Sequence, residues 1–301
     1  MQDIRRCPTQ GAIAAQIFFD LRRLLVLSTQ NHDSDAIPGI KGVAPSFREI
    51  IRRSTRHVEL LNNLAPKHRI YGLVEIDVTK ARSFISEHET KTGEKLSFTA
   101  WVIRCVGQAV SEHREVQALK KGNKKLIVFD DVDVAIVIEK QRGSERFATT
   151  YCVRKANEKS FRQIHDEIRL AQKSETDESK RASASLSLPL RIRGLLGKPF
   201  WWKLKSDPFL RKQMMGTVAV TAVGMFGKGG GWAVPIGLHS LVVAVGGIAK
   251  RPRDYTNPGE IGEFLSTTVM FDEEISLGAP ATRFLARFAE LMQTGLGLDE
   301  T

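Results

Sequence analysis

The 301-residue sequence is poor in cysteine: only Cys7, Cys105 and Cys152, far apart and with no C-x-x-C pair. That excludes a disulfide framework and the common thiolate zinc sites. Cys105 lies in an apolar helical run and reads as a core thiol, so a reducing, cytoplasmic setting fits. No apolar run reaches the ~18–20 residues a helix needs to cross a bilayer. The N-terminus has Arg5 and Arg6 before a short mixed run, Ala12 to Phe19, and lacks a signal-peptide core and cleavage site. The glycine-rich run Lys228 to Gly231 has neither Walker nor dinucleotide spacing. Acids are the minority sign, 34 against 45 Lys plus Arg, for a net charge of +11. That balance favours acidic partners: ligand phosphates, an anionic membrane surface or nucleic acid.

What remains is enough for a substantial core. Hydrophobic residues make up 42% of a chain long enough for one large or two ordinary domains. Residues 1–44 read as an N-terminal extension, with one amphipathic helix over Ile17 to Leu27 and a Gly/Pro/Asp-rich linker over Asn31 to Pro45. Residues 45–301 read as the body. It opens with a helical pattern over Ser46 to Asn63, ended by Pro66. Ile70 to Val78 alternates as a strand, and Thr79 is placed to N-cap a helix over Lys80 to Glu89. A nearly all-apolar helix runs from Ser97 or Thr99 to Ala109, so it is expected to be deeply buried. Strand patterns follow at Leu126 to Phe129, Val132 to Ile138 and Phe147 to Val153. An amphipathic helix over Ser160 to Lys173 carries His165 beside its apolar stripe, as a structural or solvent-facing residue. Asp130, Asp131 and Asp133 lack a closed metal-ligand set and read as a solvated or salt-bridged turn, so no metal is expected.

Residues 174–215 break the rhythm. Glu175 to Ser187 is polar and serine-rich, as a loop would be. Leu188 to Met215 mixes Trp201, Trp202, Phe200 and Phe209 with Arg191, Arg193, Lys198, Lys203, Lys205, Arg211 and Lys212 against the single acid Asp207. Three readings stay open for this basic, Trp/Leu-rich insertion: packing within or between subunits, contact of 188–215 with a membrane surface, or, least favoured, nucleic acid. Pro189, Pro199 and Pro208 cut it into short helices.

Two further stretches carry chemistry. Gly216 to Gly227 reads as a buried strand ending in a glycine-supported turn. Thr221 within it is either a β-branched filler or a hydroxyl donor. Leu265 to Met270 is a strand that leads through Phe271 to Leu285, F-D-E-E-I-S-L-G-A-P-A-T-R-F-L, into a helix over Arg283 to Met292. Gly278 and Pro280 mark the intervening turn. His239, just before the strand Leu241 to Ile248, is a candidate for proton transfer. A lone histidine is also a common structural residue.

These stretches together carry a resemblance. Glu75-Ile76-Asp77-Val78-Thr79, Phe129 to Asp133, Val153 to Asn157, Gly216 to Gly227 and Phe271 to Leu285 stand in the order found in the dihydrolipoyl acyltransferase catalytic domain of 2-oxo acid dehydrogenase complexes. The last is similar to that family's F-D-H-R-x-x-D-G-A-P-x-x-R-F-L, with Glu273 at the catalytic His, Glu274 at the Arg and Leu277 at the Asp. The resemblance spans roughly residues 46–295. It implies an α/β two-layer sandwich with a mixed sheet, chloramphenicol acetyltransferase-like, assembled as a homo-oligomer, as a trimer or with a homologous subunit. It implies coenzyme A or acyl-CoA as substrate and an acyl group moved between a thioester and another acceptor. Thr221 falls at the family's oxyanion-stabilising Ser and keeps the hydroxyl. Glu273 could accept a proton, although an ordinary carboxylate lies ~4 pKa units below a thiol, so desolvation would have to raise it. No lipoylation segment is present, so no lipoyl group is expected on this chain. The alternative is a catalytically inactive relative serving as an assembly partner or acyl-CoA-binding subunit. The candidate catalytic set is therefore Glu273, Thr221 and His239.

Overall fold

A computed structural model describes residue 65 and residues 68–122, 125–142, 145–173, 202–223, 229–254 and 257–300. The expected extension 1–44, the helix over Ser46 to Asn63 and residues 174–201 of the insertion lie outside the described residues.

One mixed six-stranded sheet organises the body, in the order β1-β8-β7-β6-β4-β5. The strands are β1 (Arg69–Asp77), β4 (Val134–Arg142), β5 (Glu145–Val153), β6 (Val218–Ala222), β7 (Leu241–Asp254) and β8 (Asn257–Asp272). β6 runs parallel to β4 and β7; the other pairs are antiparallel. A separate two-stranded hairpin joins β2 (Leu119–Lys121) to β3 (Lys125–Ile127). Four helices, α1 (Thr79–Thr92), α2 (Phe98–Glu112), α3 (Phe161–Lys173) and α5 (Gly278–Thr294), pack with the sheet, and α4 (Pro208–Met215) packs by β2. The result is the two-layer α/β sandwich with a mixed sheet.

The period-2 alternation explains which face is covered. Ile76, Val134, Ile136, Val218, Val220, Leu241, Val243, Val269 and Phe271 join the helices in one core. Trp101, Phe161, Phe284 and Phe288 are fully buried in it, and truncating any one to Ala would cost about 3–5 kcal/mol. Trp101 Nε1 donates to the Leu296 carbonyl at 3.0 Å, so its polar atom is also satisfied. On the opposite face, the 229–238 segment lies over part of the sheet. Tyr71 donates its hydroxyl to the Pro235 carbonyl, and a Cβ on Gly237 would strike Val242.

Several boundaries differ from the sequence expectation. Thr79 is the first residue of α1 rather than its cap. The Asp77 carboxylate accepts from both the Thr79 amide and its hydroxyl, drawing Thr79 into the first turn. Ser97 does cap α2, accepting from the Ala100 amide at 3.2 Å. α5 begins at Gly278, not Arg283, so Gly278 and Pro280 lie inside its first turn. A proline there forfeits nothing, because the first turn's amides have no intrahelical partner. β3 ends at Ile127, earlier than the pattern Leu126 to Phe129 suggests, and β4 begins at Val134, later than Val132.

The shared motif residues turn out to be stitching. Asp133 is buried and accepts from Arg154 Nη1 at 3.0 Å and from the Lys155 amide at 2.9 Å, with Lys212 Nζ at 3.3 Å. Asn157 Oδ1 accepts from the Val132 amide. The aspartate turn is salt-bridged, as its sequence suggested. Gly216, at φ 78°, takes a conformation that costs other residues energy, and a Cβ there would meet the Asp133 carbonyl at 2.7 Å.

His165 is buried and its Nδ1 accepts from the Ser97 amide at 3.0 Å. Its Nε2 faces Glu94 at 3.4 Å, and Glu94 also receives two bonds from Arg162. The Arg162 guanidinium holds the Glu94 carboxyl down at about 2. Although Glu94, His165 and Asp166 approach one another, Arg162 already occupies the carboxylate, so the cluster is a structural lock between α3 and the loop after α1.

Candidate functional site

The candidate site begins where β8 runs out. Phe271 is buried and meets Phe284 edge-to-face at 5.8 Å, and Phe284 stacks on Phe288 at 6.1 Å. The apolar residues of the Phe271 to Leu285 frame thus anchor strand to helix. Asp272 is buried, and its amide donates to the Ser240 carbonyl at 2.8 Å. Its backbone carbonyl accepts from the Ile275 and Ser276 amides, and its carboxylate accepts from the Glu274 amide at 3.1 Å. These bonds curl the chain into a tight turn ahead of α5.

That turn puts Glu273 and Glu274 outward. The Glu273 amide donates to the His68 carbonyl at 3.2 Å, while its side chain is exposed and has no ion-pair partner among the described residues. Glu274 is held by Lys120 Nζ at 2.5 Å, and the same ammonium lies 3.2 Å from Asp272 Oδ2. Lys120 carries no signal of this role in the sequence: it sits on a three-residue strand more than 150 positions away. Leu277 occupies the N-cap of α5, where it supplies no side-chain cap, and is exposed.

Thr221 lies on β6, in register with Ala244 of β7, and Ala244 pairs with Thr268 of β8. Leu241 pairs with Phe271 at the Glu273 end of the sheet. Thr221 is therefore three residues in from that end and two strands across. At ordinary strand dimensions its backbone is on the order of 15–20 Å from that of Glu273. It sits on the sheet face away from the helices, half-buried. One copy of the chain does not bring Glu273 and Thr221 together.

His239 stands at the Glu273 end of the sheet but is closed off from solvent, 1% exposed. Its Nε2 lies 2.9 Å from the Met215 carbonyl. A carbonyl only accepts, so Nε2 carries the proton. Burial pushes the imidazole down to about 4, with the Arg211 guanidinium adding to the effect against the Met215 carbonyl. Arg211 itself donates to the Leu238 carbonyl. His239 thus joins β7 to the end of α4 as a neutral structural donor.

Elsewhere, an open groove of about 400 Å³ lies between α1 and the β7–β8 arm, lined by residues that include Arg82, Ser83, Ser86, Lys250 and Glu263. It is at the opposite end of β8 from Glu273. No described helix is long and apolar enough to cross a membrane.

Residues 52–184 match the family described as 2-oxoacid dehydrogenases acyltransferase (catalytic domain). That span contains neither Thr221 nor the Phe271 to Leu285 frame. Among solved structures, the probable dihydrolipoamide acetyltransferase of Listeria monocytogenes 4b F2365 is 19% identical, covering 82% of this chain and 94% of its own, with a TM-score of 0.56. The Azotobacter vinelandii dihydrolipoamide acetyltransferase is 17% identical over 87% of this chain and 99% of its own, with a TM-score of 0.57. The truncated catalytic core of the Thermoplasma acidophilum 2-oxoacid dehydrogenase multienzyme complex is 18% identical over 82% and 99%, with a TM-score of 0.56. No curated protein sequence matches the chain.

Proposed function

We propose that this chain, which has the acyltransferase fold of the 2-oxoacid dehydrogenase catalytic domain, is a CoA-dependent acyltransferase that works as an oligomer, moving an acyl group between a thioester and an acceptor yet to be identified. The observation that carries this reading is the preserved frame: Phe271 and Phe284 hold the β8–α5 junction, and buried Asp272 shapes a turn that presents Glu273 outward. In this reading Thr221 steadies the oxyanion that forms as a thiolate attacks the thioester carbonyl. Glu273 takes the proton from the attacking thiol.

A second copy is part of the proposal, for two reasons. Glu273 and Thr221 are far apart within one chain. Glu273 is also exposed, and the desolvation that would let a carboxylate serve a thiol has to come from a neighbouring subunit. The sheet face bearing Thr221 offers a surface for it: Leu73, Val137, Val223, Trp232, Val234 and Ile236 are all exposed. A trimer, or an assembly with a homologous subunit, would place Glu273 of one copy against Thr221 of the next. Two of the similar structures are parts of assemblies, the cubic core of the pyruvate dehydrogenase multienzyme complex and the truncated Thermoplasma acidophilum core. The Azotobacter vinelandii enzyme was studied for the role of a serine, a histidine and an asparagine in catalysis. Here a threonine and a glutamate would take over the first two roles. The free thiols Cys105 and Cys152 suit a cytoplasmic setting.

One observation favours a second reading, a non-catalytic acyl-CoA-binding or assembly subunit: Glu274 is tied to Lys120 and His239 is locked and neutral, leaving Glu273 as the one exposed base of the candidate catalytic set. Calorimetric titration with CoA and with acetyl-CoA, alongside thioester cleavage, separates the two. Binding with turnover supports the enzyme, binding without turnover the second reading, and absence of binding refutes both.

A further inference from the structure

The β2–β3 hairpin and α4 meet at one corner of the molecule. Phe209 of α4 packs edge-to-face on Phe129 at 5.7 Å. Lys121 Nζ lies 5.9 Å from the Phe209 ring centre, and Lys212 Nζ 5.2 Å from that of Phe129. The corner remains both cationic and apolar at its surface. Lys121 and Lys125 on the hairpin and Lys203 and Lys205 ahead of α4 are exposed and make no ion pair with another described residue. The same segments expose Trp202, 72%, Phe209, 57%, and Leu126, 47%. The acids nearby are already engaged: Asp130 by Arg114, Asp131 by Lys212, Glu274 by Lys120, and Asp207 in capping α4.

We infer that this corner is a docking surface for an anionic membrane. Unpaired lysines alone would serve any polyanion. Large apolar side chains left in water among those lysines add a second property that a lipid interface takes up, the rings and Leu126 entering the headgroup boundary while the ammoniums stay with the lipid phosphates. A duplex nucleic acid, held through its phosphates, would use the lysines and leave Leu126 and Trp202 without a partner. The inference does not depend on acyl transfer, since Lys121, Lys125, Trp202 and Phe209 lie outside the proposed catalytic set. It concerns where the molecule sits: the hairpin that carries Lys121 also carries Lys120, which braces the turn presenting Glu273. Docking by this corner would set that turn close to the membrane surface.

The test is co-sedimentation of the full chain with vesicles of phosphatidylcholine alone or mixed with phosphatidylglycerol. The protein should pellet with the mixed vesicles only, and less so as salt rises. The exposed double variant Lys121→Glu/Lys125→Glu should lower the apparent vesicle affinity at least about tenfold. Trp202→Ala, at a side chain that is mostly exposed, should weaken binding even at low salt, where charge alone would suffice for a polyanion. Thermal melts of both variants check that they remain folded. Protein that stays in the supernatant with anionic vesicles overturns the inference. So does retention on duplex DNA without vesicle binding, or wild-type pelleting by both variants.

Discussion

Lys120 Nζ sits 3.2 Å from Oδ2 of the buried Asp272 and 2.5 Å from the Glu274 carboxylate, bracing the turn at the end of β8 from a separate hairpin. Asp272 is 6% exposed at its side chain and Lys120 30%. Removing the ammonium would leave a buried carboxylate with the Glu274 amide and the charge of the Arg211 guanidinium. Lys120→Met should therefore destabilise the protein by about 2 kcal/mol, toward the low end for a broken buried pair because Lys120 still reaches solvent. Urea unfolding measures it. Lys120→Met with Asp272→Asn should recover much of that loss, because the amide oxygen can still accept from Glu274 while the uncompensated charge is gone.

Leu277 offers a prediction of the opposite sign. It stands at the N-cap of α5, exposed, with no side-chain oxygen to accept from the first turn. Leu277→Asp would supply that acceptor and place a negative charge at the helix's positive end. A gain of about 1 kcal/mol is expected, visible as a higher Tm. No gain would mean that the Leu277 side chain is covered in the assembled protein.

Acid should weaken the fold before any carboxylate network fails. His239 has a folded pKa of about 4, below the ordinary 6.5, because burial disfavours its charged form. The unfolded chain takes up a proton there that the native state refuses. This contribution to stability is fully present above pH 6.5 and is lost as pH falls toward 4, by roughly 3 kcal/mol. His165 is also lowered by burial and adds to the same trend. The Arg162-held Glu94 carboxyl, at about 2, gives way only at lower pH. Urea midpoints between pH 7 and pH 4 should fall steeply for the wild type and less steeply for His239→Gln. Equal slopes would contradict the burial of His239.

Much of the fold was legible because strands and helices each repeat a period. Ile70, Val74 and Ile76 against Tyr71, Leu73 and Glu75 mark β1, and the unbroken apolar run around Trp101 marks a helix buried on most sides. Other features had no periodic signal. β2 is only Leu-Lys-Lys, too short to alternate. Pro280 reads as a turn in sequence, while a first helical turn accepts it freely. At the candidate site, the frame around Glu273 was legible as a motif, but its support was not. Lys120 reaches Asp272 across 152 positions. His239 finds its carbonyl 24 residues back on α4, which makes it structural rather than available. Such pairings are set by tertiary packing, which a local pattern does not encode.

The proposed site needs Glu273 from one subunit and Thr221 from another, and subunit mixing tests that most directly. Glu273→Gln and Thr221→Val would each be purified, assayed for acetyl-CoA-dependent thioester cleavage, then co-assembled and assayed again. The proposal predicts an active wild type, two deficient variants, and partial recovery in the mixed assembly, where some interfaces pair an intact Glu273 with an intact Thr221. Mixed assemblies as inactive as either variant, or variants as active as the wild type, would contradict it.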